Sequence, residues 1–552
     1  MFSTCGSYPN KVASIPLGVP IPNEEHACSV SMPKWNDIIL YEQGCPTLHG
    51  ALRGGYPRFV YHPRVLELIE YCRHVLLPSF LRSEKVEEKK DDVLEKIVRV
   101  WPTPQAAMRA RSFLLKNDIA SQDVQLCSIG GQATALVFPK CGERLAKLYW
   151  QHSGEIVSSR YASYLLPQHE KNEEENKDGE GEGVGADHGA YVSLVARLAD
   201  LHAVPKETIH VYPSGMAALF HTHRLLTLRR PGAKSIMFGF PYLDSLKLLQ
   251  RSEFSAGVLF YPQGTEEDYV QVSEICKNSE ICAIFTEFPG NPLPRSVDLC
   301  RLSELAHANG TVLVVDDTIG SYNVNTMQHG AADVVVTSLS KIFSGNGTVM
   351  GGSVLLNVSG PFFENMMSRW SLDEGGYIFS ADARVLLTAS SSLQARRVRV
   401  NESANIITER LLANTCVQNI YYPKYVDVER YEAFLEKNGE VPQYGPVFSL
   451  LLIGGEASAV AFYDALPIAK GPSLGTNFTL CCPYTLLAHY DELDFVESCG
   501  INRNLIRVSI GLEPVEDIWQ AFEIALLAAT PFALTLQTSS TKQSSFVNAD
   551  SS

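Results

Sequence analysis

Through the middle of the chain, apolar residues gather in short unbroken runs, and a polar cluster closes each run. Residues 281–285, 311–315 and 333–336 read as strands, while apolar spacing of 3.6 predicts helices over 214–230 and 299–309. Apolar strands alternating with helices predict a parallel sheet covered on both faces, hence an α/β fold. In such sheets ligands bind beyond the carboxyl ends of the strands. Three clusters lie there: EFPGNP after Phe285, DDT after Val315, and SLSK after Val336.

Outside this block the pattern changes. From about Phe379 a long helix is predicted over 384–412, then strand-like pieces at 448–453 and 505–511, then a terminal amphipathic helix through Val515, Ile518, Trp519, Phe522 and Leu526. This reads as a smaller α+β domain. Residues 1–145 form an extra amino-terminal region with Pro-rich loops and a predicted helix pair at 64–77 and 91–99. The expected division is therefore 1–145, a major domain over 146–370, a small carboxyl-terminal domain over 371–536, and a tail over 537–552. The acidic, Gly-rich stretch 170–189 and the Ser/Thr-rich tail are expected to be disordered.

Composition narrows the function. The charge of −15 across 552 residues disfavours nonspecific binding to nucleic acid or to an anionic membrane. The 13 cysteines are scattered, with no Cys-x-x-Cys pair, which excludes a disulfide framework or a Cys-rich zinc site and points to a reducing compartment. No metal site is expected. No apolar run reaches the roughly 18 residues of a membrane span, and no apolar stretch follows a basic one near Met1, so a cytoplasmic enzyme is expected.

The strand-end clusters carry chemistry. Ser214 and Gly215, in Tyr212-Pro213-Ser214-Gly215-Met216, open a helix, where Ser214 is a good N-cap and free N–H groups accept an anion. Alone, this motif is no more than a capped helix. Lys341 follows a strand in Ser338-Leu339-Ser340-Lys341; such a lysine is either a surface residue or a Schiff-base former, with the Ser338 and Ser340 hydroxyls available to a phosphate. Asp316 ends the preceding strand, where a buried carboxylate needs a cation such as a protonated pyridine nitrogen. A phosphate site, a strand-end Asp and a later Lys together describe a site for pyridoxal 5′-phosphate (PLP). Arg507, in an otherwise apolar strand, needs a bidentate carboxylate, either from a substrate or from an internal Asp or Glu.

The block from Tyr212 to Gly352 and the stretch from Ser473 to Glu513 resemble the cystathionine γ-synthase branch of the PLP enzymes of cysteine and methionine metabolism. The amino-terminal SIPLGVPIPN, HACSVSMPKW and GYPRF resemble its fungal members. The resemblance implies fold type I, with Lys341 as Schiff-base lysine and proton shuttle and Asp316, near Thr318, at the pyridine nitrogen. Gly215 and Met216, helped by Ser338 and Ser340, would take the phosphate, and Tyr242 would stack on the ring. It implies that Asn291, Ser473 and Arg507 meet cofactor and substrate carboxylate, and that Arg160 reaches the phosphate of a neighbouring subunit in a dimer or tetramer. Two departures stand out. Ser158 replaces the tyrosine usual two residues before that arginine, and Asn346-Gly347-Thr348 differs from common relatives.

The activity implied is γ-replacement on an O-acylhomoserine by cysteine, giving cystathionine in methionine biosynthesis. Alternatives are a carbon or nitrogen nucleophile in specialised metabolism, γ-lyase or sulfhydrylase chemistry, and a non-catalytic PLP-binding regulator. Two decoys fail. Gly471-Pro472-Ser473-Leu474-Gly475 matches the hydrolase elbow, but no acid lies between Ser473 and His489, the only later histidine. The Gly181–Ala186 run has a loose dinucleotide pattern without a preceding strand.

Overall fold

The computed structural model describes residues 14–83, 96–166, 188–320, 322–373, 376–436 and 442–547. Most of the acidic stretch at 170–189 and the last five positions of the tail lie outside the described residues.

In chain order, β1 (Pro20–Ile21) and β2 (Ser29–Val30) form a small antiparallel pair. The antiparallel sheet β3-β5-β4 follows, from β3 (Lys96–Trp101), β4 (Gln125–Ser128) and β5 (Thr134–Pro139). The helix Pro63–Ser83 agrees with the predicted first helix of the amino-terminal pair, but the second is overturned where it is described, since 96–99 is strand. Its β-branched Ile97, Val98 and Val100 pair across β5, with Val98 opposite Val137, and this tertiary pairing overrides the charged, helix-like spacing.

The principal sheet holds β6 (Ile209–Tyr212), β7 (Lys234–Phe238), β8 (Val258–Tyr261), β9 (Ile281–Glu287), β10 (Val312–Asp316), β11 (Val334–Ser338) and β12 (Gly352–Leu356), in the order β6-β12-β11-β10-β9-β7-β8. From β11 to β8 all neighbours are parallel, whereas β12 runs antiparallel to both β11 and β6. The sheet is thus mixed rather than wholly parallel. Alternation explains the apolar runs: Leu313 and Val315 enter one core, Val312 and Val314 the other, on opposite faces of β10. Each fully buried Val or Leu contributes roughly 1.5–3 kcal/mol.

A second sheet, β13-β14-β17-β16-β15, is built from β13 (Val417–Tyr421), β14 (Val447–Leu452), β15 (Ala469–Lys470), β16 (Leu480–Pro483) and β17 (Ile506–Ser509). The helix expected over 384–412 is two, Ser380–Ser390 and Leu393–Leu412. Serines interrupt it, as Ser390 and Ser391 donate back to the carbonyls of Leu387 and Thr388. The terminal helix runs Val515–Val547, through most of the tail expected to be disordered. Once Phe522 and Ala529 anchor it, each further turn needs no new nucleus.

The amino-terminal arm crosses the molecule. Cys28 N–H donates to Gly347 O (2.7 Å) and Met32 N–H to Lys470 O (3.0 Å), so the arm spans the turn after Lys341 and the edge of the second sheet.

Candidate active site

A cavity of about 950 Å³ opens at the carboxyl ends of β9, β10 and β11. Ten predicted site residues line it: Gly215, Met216, Tyr242, Asn291, Asp316, Thr318, Ser338, Lys341, Ser473 and Arg507. Each strand contributes at its end. Glu287 closes β9, Asp316 closes β10 and Ser338 closes β11, with the Lys341 turn immediately after.

The phosphate end is built by close approach. Ser214 caps the helix Gly215–Arg229, accepting from Ala217 N–H (3.0 Å) and donating to Gly154 O (2.8 Å). A Cβ on Gly215 would lie 2.6 Å from Ser338 Cβ, so only glycine lets this turn meet β11. Ser340 faces away: its hydroxyl is engaged by Gly351, accepting from N–H (3.0 Å) and donating to O (3.3 Å). Ser214 is thus the N-cap that the sequence predicts, while the expected phosphate-facing role of the Ser340 hydroxyl is replaced by support of the turn behind the cavity.

Two charged groups in the cavity, Asp316 and Arg507, form no salt bridge among the described residues, although the Glu287 carboxyl stands near enough to Arg507 to be felt. Asp316 is pushed up by burial, against hydrogen bonds from Thr318, and no basic side chain pairs with it among the described residues. Arg507 is buried, donating to Asn291 Oδ1 (2.8 Å) and Ser473 O (2.8 Å) beneath the Tyr484 ring. None of its described hydrogen-bond partners is a carboxylate. An internal salt bridge, the other reading of this arginine, is not what the structure holds.

Lys341 Nζ donates to Ser473 Oγ (2.9 Å) and lies 4.6 Å from the Tyr56 ring centroid. Ser473 sits at φ 110°, a left-handed conformation costly for a side-chain-bearing residue and characteristic of functional loops.

Tyr56 and Arg58, from the amino-terminal GYPRF, were not among the predicted site residues. The sign that pointed to them was an aromatic and an arginine two apart in an otherwise uncharged Gly/Pro segment. Arg58 donates to Asp244 Oδ2 (2.8 Å) and Tyr242 Oη (2.6 Å). Burial opposes its charge, but Tyr242 and Asp244 outweigh this and raise its pKa. Burial alone would raise the Tyr56 phenol; the charges of Lys341 and Arg58 prevail and hold it below its ordinary value. Removing the guanidinium strands Asp244, because burial pushes neighbouring His152 down to about 4 and leaves it neutral. Arg58→Ala should therefore lower stability by about 3–5 kcal/mol, read from urea unfolding; a loss below about 1 kcal/mol would remove the pair from the fold's supports.

Arg160 lies outside this cavity. It donates to Thr348 O (2.7 Å) and pairs with Asp382 (3.2 Å) beside a separate small pocket that Ser158 also lines. Its intrachain partner is that buried aspartate; the reach that the resemblance implies is toward a neighbouring subunit.

Comparison with known proteins places these features. A family model described as Cys/Met metabolism PLP-dependent enzyme matches residues 189–527. The chain belongs to that family. A second model, the fungal trans-sulfuration enzyme N-terminal domain, matches residues 81–158. The cystathionine gamma-synthase of Neurospora crassa is 33% identical, with 93% of this chain and 98% of that protein covered. The cystathionine gamma-synthase-like enzyme iboG2 of Amanita muscaria is 31% identical over 94% and 97%. Among solved structures, cystathionine gamma synthase from Xanthomonas oryzae pv. oryzae, in complex with aminoacrylate and cysteine, superposes with a TM-score of 0.55 at 23% identity, covering 65% of this chain and 91% of that one. The fold is that of the family, and its cofactor is PLP. The residues fit the group: a glycine-floored helix start, a strand-end carboxylate without a cation, and a lysine between them and Arg507.

Proposed function

We propose that the chain catalyses γ-replacement on an O-acylhomoserine, with cysteine as nucleophile and cystathionine as product. The observation that carries this reading is that Asp316 and Arg507 share one cavity with Lys341 and neither forms a salt bridge among the described residues. A protonated pyridine satisfies Asp316, and the carboxylate of an α-amino acid satisfies Arg507.

PLP, when bound, supplies an electron sink for the carbon bearing the substrate amine. Asp316, steadied by Thr318, keeps the ring nitrogen protonated. Lys341 Nζ holds and moves protons at the substrate carbons, with Ser473 Oγ and Tyr56 as its neighbours. Arg507 fixes the carboxylate through a planar fork braced by Asn291, which sets the orientation of the reacting bond. Tyr242, tied to Arg58, offers an aromatic face to the ring.

Cysteine is favoured as nucleophile by the 33% identity to the cystathionine gamma-synthase of Neurospora crassa over 93% of the chain. One observation favours a second reading. The cavity lies near the upper end of the roughly 300–1,000 Å³ usual for small-molecule sites, and its outer wall includes Glu42, His489 and Asp491. PLP and the amino-acid substrate take part of that space, and the lining Glu42, His489 and Asp491 offer polar contacts to a carbon or nitrogen nucleophile. A cytoplasmic homo-oligomer acting on small molecules completes the reading, and no described helix is long and apolar enough to cross a membrane.

Product analysis decides between the two. With purified protein and O-acetylhomoserine, cysteine should accelerate acetate release and yield cystathionine. If cysteine leaves the rate unchanged while an amine or carbon nucleophile is incorporated at Cγ, the second reading replaces the first.

A further inference from the structure

Glu287 has no place in the steps above, yet it occupies the centre of the site. It ends β9, and the parallel register sets it directly beside Asp316 at the end of β10. Its two oxygens take two backbone donors from different loops: Oε1 accepts from Tyr242 N–H (2.6 Å) and Oε2 from Asn291 N–H (3.1 Å). Asn291 in turn braces Arg507 through Oδ1 (2.8 Å) and donates through Nδ2 to Tyr484 Oη (2.9 Å). Tyr242 receives Arg58 on its hydroxyl.

We infer that Glu287 is a positioning residue that fixes, through one carboxyl, both the aromatic face at the cofactor ring and the arginine that takes the substrate carboxylate. Only a side chain with two acceptor oxygens joins two N–H groups in this way. A glutamine of the same shape offers one acceptor and turns an NH₂ toward the other donor, leaving that N–H unsatisfied. An aspartate is one methylene too short to span both. Burial, reinforced by the Asp316 charge and opposed by the two N–H donors and Arg507, pushes the Glu287 carboxyl well above the usual range. Adjacent carboxyls on neighbouring strands thus share a site that gains from a cation at Asp316. The arrangement is independent of which nucleophile the enzyme uses.

The test reads binding rather than turnover. Glycine and ethylamine both add an amine to the PLP of the holoenzyme, but only glycine presents a carboxylate to Arg507, and neither undergoes γ-replacement. Absorbance titration of holo Glu287→Gln should show glycine binding weakened about 10-fold, as loss of one hydrogen bond to a clamp implies, with ethylamine binding nearly unchanged. The circular dichroism of the bound cofactor should fall as Tyr242 loosens. Asn291→Ala should reproduce the selective loss for glycine, because Asn291 is the direct brace of Arg507. Equal losses for both amines, or wild-type binding of glycine, would overturn the inference. Should Glu287→Gln not fold, Glu287→Asp reads the same arms: wild-type glycine affinity overturns the inference and a selective loss for glycine supports it. Failure of the γ-replacement reading would appear in product analysis alone and leave these affinities as expected.

Discussion

Lys341→Ala should lower turnover by about 10²–10⁴-fold from loss of its proton-transfer role alone, and more where it also carries the cofactor covalently. Borohydride reduction of the wild-type holoenzyme followed by peptide mapping should place the label on Lys341, and the variant should retain PLP without a label. The geometry gives the reason. Lys341 follows β11 directly, donates to Ser473 Oγ and packs against Tyr56, whereas of the other two lysines lining the cavity, Lys147 and Lys247, neither directly follows a strand of the principal sheet and Lys247 is paired with Glu492. Gly475, at φ 70°, lets the Ser473 loop press against the Lys341 turn, where a Cβ would come within 2.7 Å of Ile342 N. Label on another lysine, or turnover close to wild type in Lys341→Ala, would displace Lys341 from this role.

The parts of this site legible in the sequence are those whose chemistry is local. Asp316 and Lys341 each stand at the end of an apolar run, and a parallel sheet brings strand ends together whatever the intervening loops do. Arg507 was legible because a guanidinium inside an apolar strand demands a partner. Sidedness was not legible. Ser338 and Ser340 flank the same turn, yet only Ser338 lines the cavity while Ser340 holds Gly351. Contacts remote in sequence were not legible either: Tyr56 and Arg58 reach the site because the arm is pinned at Gly347 and Lys470. Glu287 became meaningful only when the register set it beside Asp316. The same limit explains the fold. The strands from β9 to β11 announce themselves by continuous apolarity, whereas β12 reverses direction for reasons of topology, and β3 is held as strand by β5 against its own helical spacing.

Asp316→Asn should separate the empty enzyme from the loaded one with opposite signs. On the proposed reading the carboxylate would face a ring cation in the loaded enzyme, and removing one partner of a buried pair costs about 3–5 kcal/mol, equivalent to roughly 10²–10⁴-fold in PLP affinity or in rate. In the empty enzyme the same carboxyl has no cation, and burial raises its pKa above the unfolded value of about 3.9. A raised acid contributes stability that is fully present below the unfolded pKa and is lost as pH rises through the folded one. Asparagine does not ionise, so the Tm of apo Asp316→Asn should decline less with rising pH than that of the wild-type apoenzyme, the remaining decline coming from the raised Glu287 and Asp317 carboxyls. Thermal unfolding of both forms across pH, beside PLP titration, checks the two signs together. If Asp316→Asn leaves PLP affinity and turnover near wild type, the carboxylate is structural; if apo and holo Tm shift in the same direction, the ring cation is not its partner.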